Sequence, residues 1–138
     1  SAPITVTIDR KAAYDADDMK VSIRGERLVA IGKTLPPEEV GGESIGFLRF
    51  QPEGAAAFVA ELERAMRTRE GCQLWYLSAI HRLAQAGLAV RVALIEMLEW
   101  SELDFPADLV RCRALAAGWN ARAAQSGEGE PGVAQAAG

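Results

Sequence analysis

Apolar and polar residues alternate along the first third of the chain, and this period of two predicts β-strands. The segment ITVTID, Ile4 to Asp9, alternates over its whole length. The segment MKVSIRGERLVAIGK, residues 19–33, has two such arms around Arg24-Gly25-Glu26, which is typical of a hairpin. After the loop LPPEEVGGE, the segment Ser44 to Phe50 is apolar enough for a buried strand, and Gly46 indicates a close approach of two backbones.

The middle of the chain changes to a spacing of three and four, which predicts two helices. The first helix, PEGAAAFVAELERAMRT, starts at Pro52 and is expected to end at Gly71. Its predicted buried stripe contains Phe58, Leu62 and Met66, with Ala55 and Val59 beside them. The second helix, QLWYLSAIHRLAQAG, covers residues 73–87, with Gly87 as the residue just past its end. Its predicted buried stripe contains Leu74, Leu77, Ile80 and Leu83 or Ala84.

Three further segments complete the predicted order of elements. LAVRVALIEM, residues 88–97, is a predicted strand, and EWSELD, residues 99–104, is a second short extended segment. PADLVRCRALAAG, residues 106–118, is a predicted helix, and the residues from Gln125 onward are poor in large apolar side chains and expected to be disordered. The order β, β-hairpin, β, α, α, β, β, α predicts an α/β or α+β fold with a mixed sheet.

Composition and charge indicate which classes of protein the chain can belong to. A chain of 138 residues with 49% hydrophobic and 25% charged residues is typical of one soluble globular domain. The net charge of −4 argues against nonspecific binding of nucleic acid. No apolar run reaches about 18 residues, and the start does not resemble a signal peptide, so we expect a cytoplasmic protein without a membrane partner. Cys72 and Cys112 lie far apart, which predicts free, buried thiols.

Two acidic residues are the first candidates for chemistry. Glu102 and Asp104 are two residues apart in a predicted extended segment, so their side chains are expected on one face. Two close carboxylates repel each other unless a proton or cation lies between them, and Mg²⁺ takes such ligands together with substrate phosphates. The alternative is structural: Glu102 pairs with a surface lysine or arginine, and Asp104 helps to cap the helix at Pro106.

Lysine and glutamate residues near strand ends are the second group of candidates. Lys20 and Lys33 are placed to neutralise a phosphate, and the alternative for each is a solvated lysine. Glu43 precedes a buried strand and could face a cationic substrate or simply sit in its loop. The lone histidine, His81, is expected on the surface of the second helix or half-buried.

Aromatic residues are the third group. The faces of Trp75, Tyr76 and Trp100 could hold a quaternary ammonium group by cation–π attraction. The alternative for each of them is packing in the core.

Together these pieces resemble a known family. The segments DADDMKVSIRGERLVAIGKTLPPEEVGGESIGFLRF, WYLSAI and WSELDFPADL, in this order, resemble the C-terminal half of nucleotidyltransferases of the sugar-nucleotide type. The closest branch is the phosphocholine and phosphonate cytidylyltransferases, and the resemblance runs from about Ile4 to Leu115. It implies an α/β fold, a mixed sheet with flanking helices that forms the C-terminal part of a Rossmann-like nucleotidyltransferase fold. Residues 1–118 would be its acceptor-binding part, and residues 119–138 a flexible tail.

The resemblance also implies an activity and roles for residues. Members of the family transfer CMP from CTP to a phosphate or phosphonate and release pyrophosphate, with Mg²⁺ held by acidic residues. Their acidic-apolar-Asp signature ends a late strand and falls here on Glu102, Leu103 and Asp104. Asp104 would be a metal ligand, and Glu102 a second ligand or the partner of a substrate cation. The resemblance also places two catalytic lysines, Lys20 and Lys33, near the phosphoryl group. It makes Trp75, Tyr76 and Trp100 candidates for the wall of an alkylammonium pocket.

Departures from the family pattern limit this expectation. The glycine-rich loop and basic residue that grip the nucleotide, and an earlier aspartate that shares the metal, have no counterpart in this sequence. Phe105 stands where a small capping residue is usual. We therefore expect an acceptor-binding half that is inactive alone and binds CTP only together with the missing N-terminal half. Its expected partner is a second copy of the chain or a complementing chain. The alternative is a non-catalytic binding or scaffold module.

Overall fold

A computed structural model of the chain describes residues 2–126. The chain divides into two compact units, Ser1–Glu96 and Met97–Gly138. In the described residues, the first unit contains five strands and two α-helices, and the second unit contains one α-helix. The predicted α/β class with a mixed sheet and flanking helices is confirmed.

The first unit is built on a closed sheet of five strands. They are β1 (Ile4–Asp9), β2 (Lys20–Arg24), β3 (Arg27–Gly32), β4 (Gly42–Phe50) and β5 (Val90–Leu94). Their order around the sheet is β1-β4-β2-β3-β5. The sheet is mixed because β1 runs antiparallel to β4 and parallel to β5. The predicted first strand and the β2–β3 hairpin are confirmed, but residues 99–104 form no strand in the described structure.

The hairpin joins the other three strands through two narrow junctions. In the described residues, β2 pairs with β4 at Lys20 and Val21, and β3 pairs with β5 only where Arg27 meets Arg91. Side chains of the second helix cover the rest of the outer β3 edge. The Ile31 N–H donates to His81 Nδ1 at 3.2 Å, and Gln85 Nε2 donates to the Val29 carbonyl at 2.8 Å. His81 is half-buried, as predicted.

Helix α1 covers Pro52–Met66, and its start is tied to the first strand. The Gln51 N–H, just before the helix, donates to the Pro3 carbonyl at 2.8 Å. Pro52 occupies the first helical turn, where its missing N–H costs nothing. The helix ends at Met66 rather than at Gly71, which lies in a short 3₁₀ turn, Gly71–Gln73.

Helix α1 buries its predicted stripe only in part: Phe58 and Leu62 are half-buried, and the Phe58 ring packs against the core, 5.0 Å from the ring centre of Phe50. The buried residues of the helix are Gly54, Glu61 and Ala65, whereas Met66 is 62% exposed. The charged member of this face is neutralised by arginines, because Glu61 Oε1 lies 2.7 Å from Arg64 Nη2 and 3.6 Å from Arg82 Nη1. The small residues Gly54 and Ala65 therefore share the inner face of the helix with Phe58.

Helix α2 covers Leu77–Gln85 and starts four residues later than predicted. Its buried face contains Leu77, Ile80 and Ala84, so this part of the predicted stripe is confirmed. Leu74 precedes the helix and is exposed. Gly87 ends the helix as predicted, with φ +99°. The Gly87 N–H donates to the Ala84 carbonyl and the Leu88 N–H to the Leu83 carbonyl, which is a Schellman motif.

The core of the first unit lies between the sheet and α2. Its fully buried side chains are Ile4, Val6, Ile8, Val21, Leu28, Ile80 and Val90. Strand β4 is buried only in its first part, since Phe47 is 67% exposed. A Cβ atom at Gly46 would meet only Tyr76 Oη, at 4.0 Å, so its φ of +76° requires the glycine, not a close backbone approach.

The second unit contains α3, Asp108–Ser126. Asp108 Oδ2 accepts the N–H groups of Phe105 at 2.8 Å and Asp104 at 3.1 Å, so the carboxylate that fixes the chain before the helix belongs to Asp108, not to Asp104. The predicted tail begins at residue 119, but residues 119–126 continue α3, and residues 127–138 lie outside the described part. Both cysteines are free thiols, as predicted, but neither is buried, because Cys72 is exposed and Cys112 is half-buried. Within residues 2–126, no helix combines the length and apolar composition of a membrane span.

Candidate functional site

One end of the closed sheet gathers a large share of the charged residues of the first unit. We call it the loop end: the last residues of β1, β3 and β5, the first residues of β2 and β4, and the segment 10–19. Strand register brings Glu43 opposite both Asp9 and Lys20, and Lys20 opposite Gly32. The parallel strands β1 and β5 both finish here, and ligands of α/β proteins commonly bind beyond the carboxyl ends of such strands.

Lys11, Asp18 and Glu43 form the most buried charged cluster of the loop end. Lys11 Nζ lies 2.8 Å from Asp18 Oδ2 and 3.0 Å from Glu43 Oε2, so one ammonium bridges two carboxylates. Glu43 is only 6% exposed. The predicted site residue Glu43 therefore does face a cation, but in this structure the cation is a lysine of the same chain.

The three members of this cluster differ in the direction of their pKa shifts. Burial raises the pKa of Glu43, and Lys11 offsets this only in part, so the pKa lies above its ordinary value. Burial also acts to raise the pKa of Asp18, but hydrogen bonds from Lys11 and the Asp15 backbone outweigh it and the pKa is lowered. For Lys11, burial acts to lower the pKa, but both carboxylates outweigh it and the pKa is raised.

We expect Glu43→Gln to be as stable as the wild type or more stable at pH 7, and to lose part of this advantage at pH 5. The raised pKa means that the folded wild type binds a proton more readily than the unfolded chain. Stability from Glu43 is therefore present below its ordinary pKa of 4.5 and is lost as the pH rises through the higher folded value. Urea unfolding at the two pH values measures this difference.

Asp17→Asn is the matched control for Glu43→Gln, because the Asp17 side chain is 98% exposed. Its stability relative to the wild type is expected to change little between pH 7 and pH 5. A Glu43→Gln variant whose relative stability improves toward acid would contradict the raised pKa.

Lys20 acts as an anchor of the loop end in this structure. Its Nζ donates to three backbone carbonyls, those of Asp15, Asp18 and Lys33, at 2.5, 3.4 and 2.9 Å. These bonds occupy all three donors of the ammonium group and tie segment 10–19 to the end of β3. The catalytic role of Lys20 stays a prediction.

Lys33 and Trp75, predicted separately as a catalytic lysine and a pocket wall, lie against each other. Lys33 Nζ lies 4.6 Å from the centre of the Trp75 ring and 3.2 Å from Asp17 Oδ1. Trp75 is 62% exposed, so it is not a core residue. The ring does bind a cation, but that cation belongs to the protein.

The other predicted residues are divided between the two units. Tyr76 precedes α2 in the first unit and is 45% exposed. Trp100 is half-buried in the second unit, which also contains Glu102 and Asp104. The structure thus brings together Lys20, Lys33, Glu43 and Trp75 in the first unit.

The predicted metal ligands do not form a metal centre by themselves. Glu102 and Asp104 are both exposed and lie in a segment without regular secondary structure, so the prediction that they lie at the end of a strand is wrong. Among residues 2–126, no group of three or more His, Cys, Asp or Glu residues is arranged to hold a metal ion. The described donors therefore do not fit a complete Mg²⁺ site, and Mg²⁺ binding stays a prediction.

Lys11 and Asp18 are the loop-end residues that the sequence did not single out. They lie in a segment without periodicity, RKAAYDADD, where no regular spacing marks a site. The available signal was charge: three aspartates within four residues, close to a lysine. Only the pairing of β2 with β4 shows that Glu43 joins them.

Comparison with known proteins shows the kind of fold to which this site belongs. No family model and no curated protein matches the sequence. The structure is similar to that of the inositol-1-phosphate CTP transferase from T. maritima, with a TM-score of 0.52 and 17% identity. The match covers 78% of this chain and 41% of that chain, so this chain spans about two-fifths of the transferase. At this identity the likeness concerns the fold alone, and this chain has a fold similar to part of a CTP-dependent nucleotidyltransferase.

Proposed function

We propose that the chain is the acceptor-binding part of a nucleotidyltransferase. The complete enzyme would transfer a nucleotidyl group from a nucleoside triphosphate, with CTP expected, to a small phosphate or phosphonate such as phosphocholine, and release pyrophosphate. The observation that carries the proposal is the fold likeness to a CTP transferase over 78% of the chain. The order of the quoted sequence motifs supports the cytidylyltransferase branch.

The loop end is the proposed acceptor site. Transfer of phosphoryl and nucleotidyl groups depends chiefly on positioning and charge neutralisation, so cations near the acceptor phosphate are needed. Lys33 suits this role better than Lys20, because its partners are an exposed aspartate and a ring face rather than three carbonyls. If Lys33 turned toward the phosphate, the Trp75 face would be open to the alkylammonium group of phosphocholine.

Binding of phosphocholine to the full chain is the direct test of this site. We expect NMR titration to show binding that weakens about tenfold in Trp75→Leu, because the ring face is lost. Met66→Leu is a matched control at another exposed apolar position and should leave the affinity unchanged. Binding that is identical in the two variants would contradict the proposed acceptor site.

The proposed reaction is tested by pyrophosphate release. The assay contains CTP, Mg²⁺ and a panel of phosphocholine and small phosphonates, with the chain alone and with the nucleotide-binding half of a related transferase added. We expect release only in the mixture, and a loss in Asp104→Asn. If no mixture released pyrophosphate although the chain was folded and bound phosphocholine, the transferase proposal would be overturned and a binding module would remain.

A non-catalytic binding module is the second candidate function. The observation that favours it is the internal neutralisation of the loop end: Lys11 meets two carboxylates, and Lys20 meets three carbonyls. Dependence on Mg²⁺ separates the two candidates. An acceptor site of a transferase should bind its ligand more tightly with Mg²⁺, whereas a scaffold module should be indifferent to it.

A further inference from the structure

A row of three arginines crosses the end of the sheet opposite to the loop end. Arg24 of β2 is the register partner of Arg27 of β3, and Arg27 is the register partner of Arg91 of β5. Residues directly opposite each other in neighbouring strands project from the same face, with Cβ atoms about 5 Å apart. The three guanidinium groups therefore start from adjacent positions on one surface, about 16 Å from the loop end along β3.

The charge of this arginine row is only partly neutralised. Like charges in directly opposite positions destabilise a sheet unless an anion lies between them. Arg91 Nη2 pairs with Glu26 Oε2 at 2.9 Å, and Arg27 Nη2 donates to the Gly87 carbonyl at 3.1 Å. Within residues 2–126, the Arg24 side chain has no hydrogen-bond or ion-pair partner. Three cations thus share one carboxylate, on a chain whose net charge is −4.

A cavity of about 280 Å³ lies beside this row and is lined by all three arginines. Glu26 is the one acidic residue among the described residues of its lining, so the lining carries two excess positive charges. The rest of the lining is Ala2, Ala89 and Val90, of which the Val90 side chain is buried in the core, so the apolar contact comes from the two alanines. Its volume lies just below the range of about 300–1,000 Å³ that is common for small-molecule sites.

We propose that the arginine row and this cavity form a second binding site, for the phosphomonoester of a small organic group. A phosphomonoester carries a charge of about −1.5 to −2 at pH 7, which matches the two excess positive charges better than a single carboxylate does. Guanidinium groups bind phosphate oxygens through paired hydrogen bonds. The organic group contacts the apolar lining. The site does not depend on the proposed transferase activity, because it lies at the other end of the sheet.

The experiment is a titration of the full ¹⁵N-labelled chain in about 0.1 M NaCl, where weak surface electrostatics are screened. The probes are inorganic phosphate, propyl phosphate and, as a singly charged anion, butyrate. We expect propyl phosphate to shift the amides of residues 24–27 and 89–91, and to bind more tightly than phosphate or butyrate. Equal affinity for phosphate and propyl phosphate would overturn the role of the organic group. Shifts confined to the loop end would overturn the site.

Arg24→Gln is the decisive variant, because the loss of a partnerless exposed guanidinium should leave the fold intact. We expect its affinity for propyl phosphate to fall about tenfold, as for the loss of one charge-assisted hydrogen bond. Arg69→Gln makes the same change of charge at another exposed position and should stay within about twofold of the wild type. If both variants lost the same affinity for propyl phosphate, with unchanged melting temperatures, the effect would come from net charge alone and the proposal would be overturned.

Discussion

Replacement of Gly54 by alanine is expected to destabilise the first unit by about 3 kcal/mol, as overpacking against rigid backbone does. A Cβ atom at Gly54 would lie 2.0 Å from the Pro3 carbonyl oxygen and 2.8 Å from Ile4 Cγ1. The same carbonyl accepts the Gln51 N–H that holds the start of α1. Relief of the clash therefore requires α1 to move from β1 and to weaken that hydrogen bond. Chemical denaturation followed by circular dichroism measures the loss.

Gly32→Ala is the matched control for Gly54→Ala. A Cβ atom at Gly32 would meet nothing within 4 Å, and its backbone needs no positive φ. We expect its stability to stay within about 0.5 kcal/mol of the wild type. If both alanine variants were equally stable, the close approach of α1 to Pro3 would be wrong.

Replacement of Lys20 by methionine is expected to cost about 2–3 kcal/mol of stability, since a charged group that holds several carbonyls is lost. The three carbonyls of Asp15, Asp18 and Lys33 would then have to find water, and segment 10–19 would be released from the end of β3. Asp18 belongs to this segment, so we also expect the Lys11 cluster to loosen. Urea unfolding and the amide shifts of residues 10–19 report the two effects.

Lys33→Met separates an anchoring role from a catalytic role. Lys33 contacts one exposed aspartate and one ring, and such surface contacts contribute about 1 kcal/mol or less. We therefore expect a much smaller loss of stability than in Lys20→Met. If Lys20→Met and Lys33→Met were both as stable as the wild type and both abolished pyrophosphate release, the result would instead favour a catalytic role of Lys20.

Local sequence patterns predicted the elements whose signal lies within a few neighbouring residues. The alternation from Ile4 to Asp9 and the Arg24-Gly25-Glu26 turn are sufficient for β1 and the hairpin. Gly87 was predictable because a Schellman motif needs one residue with positive φ at a fixed place. The extended segment predicted for EWSELD is not a strand in the structure, because a strand also needs a partner edge, which a sequence does not show.

The face of α1 was only partly predictable from its apolar residues, because Phe58 packs against the core whereas Met66 is exposed. Three consecutive alanines, residues 55–57, leave the rotation of this helix weakly determined. In the structure Gly54 faces Pro3, Glu61 lies inward and Met66 lies outward. A glycine in the first turn of a helix carries no signal of such a contact in a single sequence.

Four of the eight candidate residues are brought together in the structure, and their partners were not predictable. The sequence indicated Lys20, Lys33, Glu43 and Trp75, and the structure places all four at or beside the loop end. It did not show that Lys20 binds carbonyls or that Lys33 lies on Trp75, because both contacts join residues from different elements. Lys11 and Asp18 were missed for the same reason.

The two narrow junctions of the β2–β3 hairpin have a consequence for local unfolding. Within the described residues, three register pairs hold the hairpin to β4 and β5, and the Gly41 and Val92 N–H groups add backbone hydrogen bonds to the carbonyls of Val21 and Glu26. His81 and Gln85 bind the part of the β3 edge that β5 leaves unpaired. Proteins open in cooperative pieces, and the piece with the fewest backbone links opens at the lowest free energy. We therefore expect the hairpin amides to exchange with solvent sooner than those of β1, which is paired along both edges, and opening of the hairpin would expose the buried side chains of Val21 and Leu28.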